Sequence, residues 1–128
     1  YYSSVRALAS AIRSRDVSSV EVVQAFLDRI EAVNAKLNAV VVLAGDEALD
    51  AARRADAQLA RGEVTGPLHG VPMTIKDSID TAGIVTTYGS KGRSTFVPRK
   101  DATAVARLRA DLGACSAHRT RVSVRRPV

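Results

Sequence analysis

The sequence predicts an α/β fold, on three observations. Four stretches carry apolar residues at helical spacing, and three short apolar or β-branched runs lie between them. Serine and aspartate capping signals open the helical stretches, and Gly62 and Gly113 stop two of them. Helices precede and separate the short apolar strands, which points to α/β or mixed α+β.

The elements follow in order. Val5, Leu8, Ala9 and Ile12 share one helical face, with Ser3 or Ser4 as N-cap. Ser18 and Glu21 form a capping box for a second helix with the stripe Val22, Val23, Phe26, Leu27, Ile30 and Val33. Asn34 and Lys36 mark its expected end. The run LNAVVVL, residues 37–43, reads as a strand. Asp46 is the expected cap of a third helix, whose apolar side is Ala48, Leu49, Ala52, Ala55 and Leu59. Its alanines favour helix and close packing. A turn-rich connection, residues 64–70, leads to a short strand over 71–75, and residues 84–88 read as another strand. Asp101 is the expected cap of a last helix carrying Val105, Leu108 and Leu112.

Composition narrows the function class. The chain has 128 residues with 46% hydrophobic and 25% charged, ordinary for a globular protein of one domain. Aromatics are only 4%, so the core is built from Ala, Val, Leu and Ile. No apolar run approaches the roughly 20 residues that span a membrane, and the N-terminus shows no signal pattern. A chain beginning at Tyr1 is expected to have been cut from something longer. The lone Cys115 permits no internal disulfide, so a cytoplasmic location is expected. The net charge is +6, yet residues 115–128 hold four arginines and no acid, so most of the excess lies in that tail. The tail lacks interleaved aromatics, and a nucleic-acid partner is not expected. It has no helical stripe either, and is expected to be disordered.

One stretch carries chemistry: GPLHGVPMTIKDSID, residues 66–80. Val71, Met73 and Ile75 alternate with Pro72 and Thr74, which puts Lys76 on the Pro72/Thr74 face at the strand's C-terminal end. Ligands collect beyond the carboxyl ends of strands in open α/β sheets. Burial there disfavours the charged form of an amine, and a neutral lysine is a competent base. The pattern alone favours the plainer reading, a solvated Lys76 paired with Asp77 or Asp80 at a loop rim.

The same stretch resembles the lysine-bearing segment of the amidase signature family, in which Gly-Pro-Leu-x-Gly-Val-Pro leads into a strand ending in Lys-Asp. SSVEVVQAFLDRIEAVNAKLNAVV is similar to that family's preceding helix and strand, and TAGIVTTYGSKGRSTFVPRKDATAVARLRADLGA to its continuation. The resemblance covers roughly residues 4–114. It implies residues 1–114 as the N-terminal part of an amidase-type domain: helices plus the first strands of a mixed sheet, incomplete. It further implies a hydrolase of carboxamide C–N bonds using a Ser–cis-Ser–Lys triad, with Lys76 as the triad lysine. That chemistry takes a small-molecule amide substrate and needs no cofactor and no metal. An alternative within the resemblance is the A subunit of a transfer-RNA-dependent amidotransferase, whose partners are the other subunits. A non-catalytic binding fragment is a further alternative.

The family's glycine- and serine-rich stretch, which supplies both serines and the oxyanion-hole amides, has no counterpart here. Ser78, Ser90 and Ser94 lie in no nucleophile setting, and neither His69 nor His118 is a candidate base; His69 reads as a loop residue. The isolated chain is therefore expected to be inactive. In the family, an apolar strand follows the helix that ends in Gly-Ala; here Cys115 interrupts. Back-translation of residues 114–120 in a shifted frame can spell Val-Leu-Gly-Thr-Ser-Asn, so residues 115–128 are expected to be either a disordered basic tail or a frameshift product. Strands lacking sheet neighbours are also expected to leave the chain marginally stable.

Overall fold

The computed structural model describes residues 3–112 and 117–120. The first helix, α1 (Val5–Ser14), starts where Ser4 accepts from the Ala7 N–H at 3.2 Å and ends at Arg15 in the left-handed region. The second, α2 (Ser19–Leu37), opens on the expected capping box: the Glu21 N–H donates to Ser18 Oγ at 3.1 Å, and the Ser18 N–H donates to Glu21 Oε2 at 2.8 Å. That donation from the Ser18 N–H, and second a donation from the Ser18 hydroxyl to Glu21 Oε2 at 2.8 Å, hold the Glu21 carboxyl below its ordinary value. Its contribution to stability is therefore present above the unfolded value and lost as pH falls through the lowered one. Glu21→Gln is expected to flatten the acid side of a plot of melting temperature against pH while leaving the alkaline side nearly unchanged.

Asn34 does not stop α2; it ties the helix to the next strand. Its Nδ2 donates to Val40 O at 2.8 Å, and its Oδ1 accepts from the Val40 N–H at 2.9 Å. The helix closes three residues later, with Asn38 in the left-handed region. This tether explains why the first strand, β1, is confined to Val40–Val42 rather than the expected 37–43. The third helix, α3, runs over Gly45–Ala60 without a side-chain cap, and Asp46 lies inside its first turn instead of preceding it.

Alanine governs how α3 packs. Ala48, Ala51, Ala52 and Ala55 are fully buried, and such small side chains bring the helix close against α2. The main core joins Ala9 and Ile12 of α1, Val22 and Val23 of α2, Ala48, Ala52 and Leu59 of α3, and Val71. A second polar tether fastens the layer. Asp56 of α3 accepts from the backbone N–H groups of Ser19 and Val20 at 2.7 and 3.1 Å, so a carboxylate from one helix satisfies the N-terminal donors of another.

The second strand, β2, is Met73–Lys76, and α4 spans Thr103–Leu112. Ile75 and Val105 form a small core between them, with Met73, Ile79 and Ala102 packed against it. Asp101 does not cap α4: its carboxylate accepts from the Ala82 N–H at 2.7 Å and from Arg109 at 2.8 Å, which fixes the preceding loop to the helix. Residues 84–88 are not a strand. The Thr86 N–H donates to Phe96 O and the Ile84 N–H to Thr81 O, so their backbone groups serve turns.

The third strand, β3, is Ala117–Thr120, and the sheet order is β1-β3-β2. It pairs antiparallel with β1 and parallel with β2, where Lys76 stands opposite Thr120. The sheet is thus mixed, as expected for the α/β class. The expectation of a disordered or frameshifted tail lies outside the described residues except at these four, which are extended and sheet-paired.

Candidate functional site

Lys76 ends β2, and its placement is set from both sides of the strand. Upstream, the loop 66–72 is held by three helices. Arg13 of α1 donates to Pro67 O at 3.2 Å. Gly70 lies directly against Ser19 of α2. His69, a buried residue, reaches Ala55 O of α3 at 2.9 Å through Nε2. The Thr65 N–H donates to His69 Nδ1 at 3.2 Å, which makes Nδ1 the acceptor and Nε2 the donor. His69 is therefore a structural bridge, more than the plain loop residue its position in the sequence suggests. Its replacement by alanine removes the bond to Ala55 O inside the fold and takes the acceptor from the Thr65 N–H. His69→Ala is expected to cost about 2 kcal/mol, read from urea unfolding.

Downstream, the carboxylates that follow the lysine turn away from it. Asp77 is buried, 4% exposed, and accepts from the Thr87 N–H at 2.9 Å, from the Thr87 hydroxyl, and from the Gly89 N–H at 3.4 Å. Asp80 accepts from the Tyr88 hydroxyl at 3.0 Å and lies 3.9 Å from Arg93. Arg93 in turn stacks on two rings, 4.4 Å from the Tyr88 centroid and 4.0 Å from that of Phe96. Such cation–π contacts stiffen the loop that faces the end of β2.

Lys76 itself is exposed, as is Thr74 on the same face, whereas Ile75 between them is buried. The expected burial of the amine is thus not found among the described residues: only the opposite face of β2 is covered, by α4. The pairing of Lys76 with Asp77 or Asp80 is not found either, since both carboxylates are engaged elsewhere. Ser78, Ser90 and Ser94 are all exposed, and none is bonded to Lys76. Among the described residues there is no His/Cys/Asp/Glu group fit to hold a metal ion. No helix there is long and apolar enough to cross a membrane.

The pattern of the family described as Amidase matches residues 21–124. The chain belongs to the amidase family. That match runs ten residues past Ala114, through β3. Curated relatives of this amidase-family chain include the glutamyl-tRNA(Gln) amidotransferase A subunit of Carboxydothermus hydrogenoformans, 45% identical over 109 residues, which span 85% of this chain and 22% of the relative. The A subunit of the same enzyme from Acidothermus cellulolyticus is 48% identical over 102 residues, 80% of this chain and 20% of the relative. Among solved structures, native peptide amidase from Stenotrophomonas maltophilia superposes with a TM-score of 0.79 at 32% identity, over 93% of this chain and 24% of that one. A bacterial aryl acylamidase of the amidase signature family superposes at 0.85 and 26% identity, over 94% of this chain and 25% of that one. The chain therefore spans about a fifth of the length of the curated relatives it matches.

Proposed function

We propose that this chain carries the lysine-bearing segment of an amidase-type catalytic centre acting on carboxamide C–N bonds, with Lys76 as the proton-relay lysine of a Ser–cis-Ser–Lys triad. One observation carries the reading. Lys76 stands at the carboxyl end of β2 with its amine unpaired among the described residues, although two carboxylates lie within four positions of it. A base must stand free of a carboxylate, because a carboxylate would hold it as the ammonium. In the proposed chemistry a neutral amine accepts the proton of a bridging serine, which draws the proton from the nucleophilic serine as it attacks the amide carbonyl. The proton then passes to the leaving nitrogen. Neither serine is among the described residues bonded to Lys76, so this chain alone is expected to be inactive.

A second reading, the A subunit of a transfer-RNA-dependent amidotransferase complex, is favoured by the relatives: both of the curated proteins quoted carry that name, with identities of 45% and 48%. Its substrate would be an amide donor such as glutamine, and its partners the other subunits. A graft tests both. Residues 21–112 replace the matching segment of a full-length amidotransferase A subunit, with ammonia release followed on glutamine and on small carboxamides. Turnover of simple carboxamides without partner subunits supports the amidase; turnover only of glutamine, and only with partner subunits present, supports the second reading. A correctly folded graft that turns over neither substrate would remove both.

A further inference from the structure

We propose that Asp77 is the positioning residue for Lys76, through the turn at 87–89; this rests on reading Lys76 as the relay lysine. In sequence, Lys-Asp invites an ion pair. In the fold the two side chains take opposite environments, Lys76 exposed and Asp77 buried. The Asp77 carboxylate gathers the Thr87 N–H, the Thr87 hydroxyl and the Gly89 N–H, and the Tyr88 N–H donates to the Asp77 carbonyl at 3.4 Å. Three successive backbone amides thus converge on one residue. Hydrogen bonds to an ionised carboxylate are the stronger kind, and burial shields them from water.

The consequence falls on the preceding residue. A lysine amine sits at the end of four rotatable side-chain bonds, so its reach is directed only if its backbone root is fixed. Pairing of β2 with β3 fixes the root on one side. Beyond Lys76 the pairing ends, and the contacts next to it that hold the chain include the Ile79 N–H donating to Lys76 O at 3.0 Å and the Asp77 clamp. Since Asp77 spends its oxygens on residues 87–89, it anchors the lysine without pairing with its amine. The aromatic stack of Arg93 on Tyr88 and Phe96 stiffens the other side of the same turn.

The test uses this chain and the graft. Asp77→Asn keeps the shape but turns one acceptor into a donor facing N–H and O–H groups. Amide exchange at Thr87 and Gly89 is expected to quicken at least tenfold. Competitive amine labelling of Lys76, measured against Lys36, Lys91 and Lys100 in the same molecules, is expected to change at least twofold. In the graft, kcat is expected to fall at least tenfold with KM within twofold. Thr87→Ser, which keeps both donors, is expected to behave as the parent, and Thr87→Val to follow Asp77→Asn in part. Faster exchange with an unchanged Lys76 labelling ratio makes Asp77 a loop fastener only and overturns the proposal, as does unchanged exchange. Should Asp77→Asn fail to fold, the Thr87 pair decides by the same readouts. Exchange and labelling report the anchor whether or not Lys76 is catalytic; retained turnover of Lys76→Ala sinks the relay reading separately.

Discussion

Lys76→Ala in the graft is expected to lower amide turnover by at least ~10³-fold, the scale of losing a proton-transfer group that acts as one unit with a nucleophile. The loss should fall on kcat, because the amine works on a serine proton and not on the ground-state amide. Lys76→Arg is expected to be as damaging: a guanidinium keeps the charge but gives up no proton in the accessible pH range. Stability should hardly move in either variant. Lys76 is exposed, and its side chain has no hydrogen-bond or ion-pair partner among the described residues. Surface substitutions of that kind stay within about 0.5 kcal/mol. A melting curve matching the parent, beside lost turnover, separates chemistry from folding. Turnover within tenfold of the parent would remove Lys76 from the mechanism.

The proposed relay makes two demands on neighbouring residues. It needs an amine that no carboxylate claims, and the fold meets this by turning Asp77 inward and engaging Asp80 with Tyr88. It also needs an amine out of water, and the described part of the chain does not supply that, since only the Ile75 face of β2 is covered. On the relay reading, a surface that shields Lys76 must come from elsewhere in the assembled site. The side chain is then solvated in the isolated chain and takes up its role only on assembly.

What sequence reasoning could reach depended on how local the determinant was. The Ser18–Glu21 capping box and the apolar stripes of α1 to α3 are written within one or two helical turns, and they appear as expected except at Val5, which is exposed. The alternation Met73–Thr74–Ile75–Lys76 placed Lys76 on the right face of β2. The same pattern says nothing about what covers that face, and the expected burial failed there. Asn34, Asp101 and His69 carried misleading signals because their partners are distant or lie across a loop: Val40, Ala82 with Arg109, and Ala55. A strand's hydrogen bonds come from backbone groups that every residue owns, so β3 is invisible in the composition of Ala117–Thr120. Residues 84–88 failed in the opposite way. Their β-branched side chains suit a strand, but Thr86 and Thr87 bond to Phe96 and Asp77 instead of to a ladder.

Gly70→Ala is expected to destabilise the chain by about 3 kcal/mol, on the order of a 10 °C fall in melting temperature for a domain of this size. Two effects add. Gly70 has φ +76°, and a side chain there costs roughly 1 kcal/mol or somewhat more. The new Cβ would also fall well inside contact distance of Ser19 Oγ, and would lie 3.2 Å from Ser19 Cβ and 3.3 Å from Ile12 Cγ2. Rotation of the serine hydroxyl relieves the first contact only. Ser19 cannot retreat, because it is fully buried and its N–H is held by Asp56 at 2.7 Å. Gly62→Ala isolates the dihedral effect: its φ is +78°, and nothing lies within 4 Å of an added Cβ. It is expected to cost about 1 kcal/mol. Adding Ser19→Ala to Gly70→Ala removes the closest contact and should recover part of the steric loss. Equal costs at Gly62 and Gly70 would show that Ser19 and Ile12 yield freely. The loop that aims β2, and with it Lys76, would then be softer than its three helical anchors imply.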